Sequence, residues 1–284
     1  MKTVELAPAK INLTLDVGAK HPDGYHDIIS VMTSVGLYDE LTVETGTGTG
    51  TITLTCSDPS LSCDETNLAY RAARLFFEHT CIPCDGVAIH LEKRIPMQAG
   101  LGGGSSDAAA VLRSLRQLYA PNMMLRELER ISIVLGSDVP YCVGGSTTLV
   151  LGRGEQLIKL PAMPEGWVVL CKPSESYSTA DMYRRIDELG PRLAVDADGM
   201  YQALQENDLE LVAKSVGNLF TQVLPEHSGV PAITERLEEL GALRSCMSGS
   251  GSAVFGLFAS REAAQAALEA LLPDYPQTYL AKTV

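Results

Sequence analysis

Apolar and polar residues alternate near the start of the chain, where Ile11, Leu13, Leu15 and Val17 fall between Lys10, Asn12, Thr14 and Asp16. A period of two predicts a β-strand buried on one face, with Lys10 and Asn12 together on the polar face. Leu41-Thr42-Val43 and Ile52-Thr53-Leu54 also read as strands. The intervening Thr45 to Thr51 (TGTGTGT) holds too much glycine to pack and is expected to be a hairpin loop. From Asn67 to His79 the period becomes helical, with Leu68, Ala72, Leu75 and Phe76 on one stripe, and Val87, Ile89 and Leu91 return to strand alternation. A helix from about Ser106 to Tyr119 carries Ala109, Leu112, Leu115 and Leu118 and stops before Pro121, whose missing N–H ends helices.

Further on, a helix is expected from about Leu125 to Leu135, halted by Gly136, with Ser137-Asp138-Val139-Pro140 as a turn. Thr147 to Leu151 and Trp167 to Cys171 read as strands, and Asp187 to Gly199 as an exposed connection rich in Asp, Gly and Pro. The last third predicts helices near Tyr201 to Gln205, Leu209 to Val216, Ile233 to Leu240 and Arg261 to Leu271, with a glycine-serine strand pair around Met247 to Ser252. The class is α+β, in two domains meeting near residue 160: residues 1–160 and 161–284.

Composition narrows the setting. At 284 residues and 45% apolar content the chain fills one large core or two ordinary ones. No stretch has the apolar length of a membrane span, and Met1-Lys2-Thr3-Val4-Glu5 runs into strand-like sequence instead of a signal-peptide core, so a cytoplasmic protein with no membrane partner is expected. Seven cysteines without a secretory signal read as reduced thiols, and Cys81-Ile82-Pro83-Cys84 with Cys56 and Cys63 matches no common zinc spacing. Twenty-two basic against 35 acidic residues leave a net charge of -13, which disfavours nucleic acid. A small anion is still accommodated where backbone N–H groups, a divalent cation and a few local Lys or His residues supply the positive field.

Such a place is suggested at Gly100-Leu101-Gly102-Gly103-Gly104. Four glycines in five positions cost backbone entropy unless the chain turns tightly or lies against something. Ser105, Ser106 and Asp107 then open a helix, whose first N–H groups and dipole suit phosphate. The Lys of GxxxxGK[ST] is absent and Ser105 stands where GxGxxG needs Gly, so neither familiar nucleotide fingerprint applies. A tight strand-to-helix connection without a ligand is the plain alternative.

Other candidates carry two readings each. Lys10 is a snorkelling surface lysine or a functional one. Asp138, fixed by Gly136 and Pro140, is a turn residue or a carboxylate held in a set position. Asp23-Gly24-Tyr25-His26 is a turn whose ring and imidazole suit stacking on a base. Met247-Ser248-Gly249-Ser250-Gly251-Ser252 is a β-turn or a segment passing close to a ligand.

Taken in order, Pro8-Ala9-Lys10-Ile11-Asn12-Leu13, Asp23-Gly24-Tyr25-His26, Asn67-Leu68-Ala69-Tyr70-Arg71-Ala72-Ala73, Pro96 through Ala109, Gly136-Ser137-Asp138-Val139-Pro140 and Ser248-Gly249-Ser250-Gly251-Ser252 resemble the GHMP kinase superfamily over nearly the whole chain. PAKINL, then DGYH, then GLGGGSSDA looks like its branch acting on a cytidine diphosphate-linked methylerythritol. The resemblance implies an N-terminal domain like the second domain of a small-subunit ribosomal protein, a ferredoxin-like C-terminal domain, and an active site between them. It implies ATP with Mg²⁺ as phosphoryl donor, Asp138 as catalytic carboxylate and Lys10 as its partner. The phosphate loop becomes Pro96-Met97-Gln98-Ala99-Gly100-Leu101-Gly102-Gly103-Gly104-Ser105-Ser106. Asn12, Tyr25 and His26 fall in the substrate-binding set, and Tyr183 stands where the family places a second aromatic. The implied reaction phosphorylates the 2-hydroxyl of the methylerythritol unit in non-mevalonate isoprenoid synthesis. The rivals are a relative acting on homoserine, mevalonate or a sugar, and a non-catalytic nucleotide-binding regulator. An RNA-binding module conflicts with the charge of -13.

Overall fold

A computed structural model describes every residue of the chain except Thr47 and Thr49. In chain order the elements are β1 (Lys2–Lys20), β2 (His26–Thr45), β3 (Ile52–Cys56), α1 (Leu68–Thr80), β4 (Val87–Glu92), α2 (Gly103–Tyr119), α3 (Leu125–Ser132), α4 (Val139–Gly144), β5 (Thr148–Gly152) and β6 (Gln156–Lys159). They continue as β7 (Trp167–Cys171), α5 (Thr179–Glu188), α6 (Ala197–Glu206), α7 (Leu209–Ser215), β8 (Gly217–Asn218), a 3₁₀ turn (Leu219–Val223), α8 (Val230–Glu239), β9 (Arg244–Met247), β10 (Val254–Phe258), α9 (Arg261–Leu271) and β11 (Thr278–Lys282). The class is α+β. Among the described residues no helix is long and apolar enough to cross a membrane.

The chain forms two compact units. Met1–Ala9, Tyr38–Ile95 and Gly102–Gly145 make the first, and Lys10–Leu37, Pro96–Leu101 and Ser146–Val284 the second. In the first unit β4 pairs antiparallel with the end of β2, Leu41 opposite Leu91 and Val43 opposite Ile89, and parallel with β3. β2 and β3 therefore flank β4 and are not a hairpin. A glycine-rich segment shows that the chain turns, not which strand receives it, and Thr47 and Thr49 of that segment lie outside the described residues. The parallel β3–β4 pair needs a crossover, which α1 supplies. Asn67 starts α1 by accepting from the Ala69 N–H at 2.9 Å. Ala69, Ala72, Ala73 and Phe76 of α1 are buried, as are Ala108, Ala109 and Leu112 of α2, and the two helices pack together. The segment expected as a turn at 137–140 opens α4, with Pro140 in the first turn, where no N–H is needed.

In the second unit β7, β9, β10 and β11 form an antiparallel sheet in the order β11-β7-β10-β9. With α8 before β9 and α9 between β10 and β11, both packed on this sheet, the succession is the β-α-β-β-α-β of ferredoxin-like folds. The central strands are wholly apolar in their middles, and Val168, Val169, Leu170, Val254, Phe255 and Leu257 are buried. The first part of β2 pairs with β5, β5 with β6, and β1 with β8 in parallel at Thr14 and Leu15.

β1 departs from the one-sided burial that its alternation predicts. Lys10, Asn12 and Thr14 are 3%, 0% and 0% exposed, as deep as Ile11 and Leu13. Both faces are covered, and the polar one is matched with hydrogen bonds instead of water. Lys10 is not a snorkelling surface lysine. The exposed connection expected over 187–199 is also shorter, because α5 runs to Glu188 and Asp196 caps α6 through the Gly199 N–H at 2.8 Å.

Candidate active site

The glycine loop has more than one cause. Gly100 and Gly102 adopt φ of +75° and +69°, the left-handed region that suits glycine. A Cβ on Gly100 would stand 2.0 Å from the Ser248 carbonyl oxygen, so that glycine is required by another segment of the protein. A Cβ on Gly103 would meet Ile95 Cγ2 at 3.1 Å, whereas Gly104 is exposed and would meet only Leu68, at 3.6 Å. α2 begins at Gly103, ahead of the expected Ser106. Glycine's low helix propensity hides that first turn in the sequence.

Gly102 as N-cap offers no side-chain oxygen to α2. The Ser106 N–H donates to the Gly102 carbonyl at 2.8 Å, which leaves Gly103, Gly104 and Ser105 as the N–H groups without an intrahelical acceptor. That helix end suits an anion.

Below it lies an ionic cluster with no sequence motif. Lys93 Nζ donates to Asp107 Oδ2 at 3.0 Å and forms a short ion pair with Asp39, whose Oδ1 accepts from the Arg94 and Ile95 N–H groups at 2.6 and 2.9 Å. Burial pushes the Asp107 carboxyl up to about 8, with the neighbouring Asp39 charge adding to it and Lys93 opposing. Asp39 has both oxygens satisfied, by Lys93 and by the two N–H groups, while Asp107 Oδ1 and Ser106 Oγ are buried without a hydrogen bond. Asp138, also in the first unit, is the half-buried N-cap of α4, and its side chain makes no capping bond. Arg113 steadies that short helix by donating to the Cys142 carbonyl at 2.8 Å and to Glu5 at 3.1 Å.

The second unit brings three of the quoted motifs together. Lys10 Nζ donates to Asn12 Oδ1 at 2.7 Å, and Asn12 Nδ2 donates to Ser30 Oγ at 2.9 Å. The Lys10 N–H reaches the Leu101 carbonyl at 2.9 Å, and Ser248 Oγ donates to the Gly100 carbonyl at 3.0 Å. Asn218 Nδ2 holds the Ser248 turn by donating to the Met247 and Gly249 carbonyls at 2.7 and 2.8 Å. The Lys10–Asn12 strand, the loop segment Pro96–Leu101 and the glycine-serine turn are thus one hydrogen-bonded assembly. Within that loop segment Pro96 and Ala99 are buried, whereas Met97 and Gln98 are exposed, Gln98 at φ +51°.

The aromatic candidates divide. His26 stacks on Tyr183, centroids 5.1 Å apart at 22°, and Tyr183 meets Phe220 edge-on. His26 Nε2 lies 2.7 Å from Asp187 Oδ1, and Lys20 Nζ reaches the other oxygen at 2.5 Å. Lys20, and then His26, hold the Asp187 carboxyl below its ordinary range. Tyr25 is 60% exposed beneath the Arg153 guanidinium, 4.6 Å from the ring centroid, and Arg153 pairs with Asp23. Asp39, Lys93, Arg153, Asp187 and Asn218 were not singled out from the sequence. Each is paired with a residue distant in sequence.

Residues 67–146 match the family described as GHMP kinases N terminal domain, and residues 200–276 the one described as GHMP kinases C terminal. The chain is 44% identical to a 4-diphosphocytidyl-2-C-methyl-D-erythritol kinase of Exiguobacterium sibiricum, over 93% of this chain and 92% of that one. A crystal structure of a 4-(cytidine 5'-diphospho)-2C-methyl-D-erythritol kinase superposes with a TM-score of 0.82 at 34% identity, covering 99% of this chain and 98% of that one. The homoserine kinase of Cytophaga hutchinsonii superposes with a TM-score of 0.76 at 21% identity, covering 100% and 94%, a likeness of fold alone.

Proposed function

The chain belongs to the GHMP kinase family, and on that premise we propose that it transfers the γ-phosphoryl of ATP to the 2-hydroxyl of 4-diphosphocytidyl-2-C-methyl-D-erythritol, a step in making isoprenoid precursors by the non-mevalonate route. The observation that carries this substrate over homoserine, mevalonate or a sugar is the aromatic turn. A phosphate loop serves any member of the family, whereas Tyr25, His26 and the Tyr183 ring stacked on it suit a nucleobase.

The start of α2 fits the phosphates of ATP. Its N-cap lacks a side chain, and the Gly103, Gly104 and Ser105 N–H groups would hold them, with Pro96 to Leu101 completing the loop. Mg²⁺ would accompany those phosphates, held chiefly by their own oxygens. When bound it would supply charge neutralisation at the phosphate oxygens.

Asp138 takes the proton of the 2-hydroxyl as that oxygen bonds to the γ-phosphorus. The bond from the γ-phosphorus to the β–γ bridging oxygen breaks, and ADP leaves with the electron pair. Lys10 offsets the negative charge developing on the transferred oxygens. Asn12 orients the Lys10 ammonium through their 2.7 Å hydrogen bond. Phosphoryl transfer has a loose transition state, so catalysis rests on positioning and charge stabilisation. A coupled ADP-release assay tests the reading: turnover is expected with the cytidylyl substrate, inhibited by CDP. Turnover with mevalonate or homoserine in its place would overturn it.

A further inference from the structure

Asp187 joins three separate pieces of the second unit. Its two oxygens take His26 Nε2 from the start of β2 and Lys20 Nζ from the end of β1, while Asp187 itself lies in the last turn of α5. An ion pair in open solvent contributes little, but here the imidazole is 3% exposed and its partner carboxylate 25%. Tyr183 lies four residues earlier, one helical turn along the same side of α5. That single turn therefore grips the imidazole twice, with the Tyr183 ring on its face and the Asp187 carboxylate on its edge.

The grip is anchored beyond the ring. Arg192 donates to the Ile186 carbonyl at 3.1 Å and to the Val17 carbonyl at 3.2 Å, fastening the end of α5 to β1. The other charges of α5 pair within the helix, Asp181 with Arg184 and Arg185, and Glu188 with Arg184. His21, in the adjoining turn, pairs with Asp27. A carboxylate on Nε2 also settles the tautomer of the neutral ring, because the nitrogen facing it carries the proton.

We propose that Asp187 is a positioning residue of the base subsite: it orients the His26 imidazole and holds α5 so that Tyr183 lies against it, and so sets affinity for the cytidylyl end of the substrate without touching it. This rests on reading the Tyr25-His26 turn as the base site.

The test compares Asp187→Ala, Asp187→Asn and Tyr25→Ala in steady-state kinetics, with ¹⁵N NMR of histidine-labelled free enzyme. Both Asp187 variants are expected to raise KM for the cytidylyl substrate, the alanine about tenfold and the asparagine less because its carbonyl still accepts. KM for ATP and kcat are expected to stay within about twofold, because the Asp187 oxygens are taken by Lys20 and His26 and not by Lys10. The His26 nitrogens are expected to move from one Nε2–H tautomer to a mixture. Unchanged substrate KM and unchanged tautomer in both variants would overturn the proposal, as would equal rises in both KM values, the mark of a general loss of structure. If Asp187→Ala does not fold, the isosteric asparagine carries the same comparison. Tyr25→Ala separates the two levels. If it leaves substrate KM unchanged the base-site reading fails, and if it raises KM while the Asp187 variants do not, only the role of Asp187 fails.

Discussion

Gly100 has no room for a side chain. Its φ of +75° and the 2.0 Å that would separate an added Cβ from the Ser248 carbonyl oxygen would force the two segments apart in a Gly100→Ala variant. The expected cost is about 1–3 kcal/mol, read as a lowered midpoint of thermal unfolding, with a fall in kcat/KM because the same hydrogen-bonded assembly carries Lys10. Asp138→Asn is expected to separate stability from chemistry. The amide keeps the size and shape of the carboxylate at the head of α4, so the melting temperature should hold while kcat falls by about 10²–10⁴. Wild-type turnover in a folded Asp138→Asn protein would remove Asp138 from the mechanism. Lys10 and Asp138 were singled out from the sequence because each sits in a short, dense motif. Asp187 and Asp39 were not, since their partners His26 and Lys93 are 161 and 54 residues away, and one sequence does not display pairings at that range.

Among the elements, α2 carries a pH dependence. Asp107 has its carboxyl pushed up to about 8 from an ordinary 3.8, mainly by burial. Between those values the folded chain retains a proton that the unfolded chain has lost. Its contribution to stability is therefore complete below the lower value and disappears as pH rises through the upper one. Burial lowers the Lys93 amine, but the charges and hydrogen bonds of Asp107 and Asp39 together raise it above its ordinary 10.5, outside this window. Melting temperature should fall from pH 5 towards about pH 8, and Asp107→Asn should flatten that slope; an equal slope in both proteins would contradict it. Elements with a clean apolar period, α1, β4, β7 and α9, were legible nearly to the residue. The start of α2 was hidden by glycine, and the β2-β4-β3 order was hidden because strand pairing is a choice among distant partners.

For the whole molecule, the net charge of -13 opposes the approach of two anionic substrates. Raising monovalent salt from about 10 mM to about 150 mM shortens the reach of that field. With Mg²⁺ and pH held constant, kcat/KM is expected to rise by about two- to fivefold, whereas an enzyme that steers anions by a positive surface would slow down. The ferredoxin-like order of the second unit was not readable from periodicity, which gives strands without neighbours. It followed from the resemblance of ordered motifs.

The depth of Lys10 also governs its encounters with reagents other than substrate. An amine at 3% exposure, engaged with Asn12, is shielded from electrophiles that need a solvent-facing nitrogen. Acylating agents should mark lysines such as Lys20 and Lys282 first, so the enzyme can bear an acetylated exterior while the buried Lys10 amine stays chemically untouched.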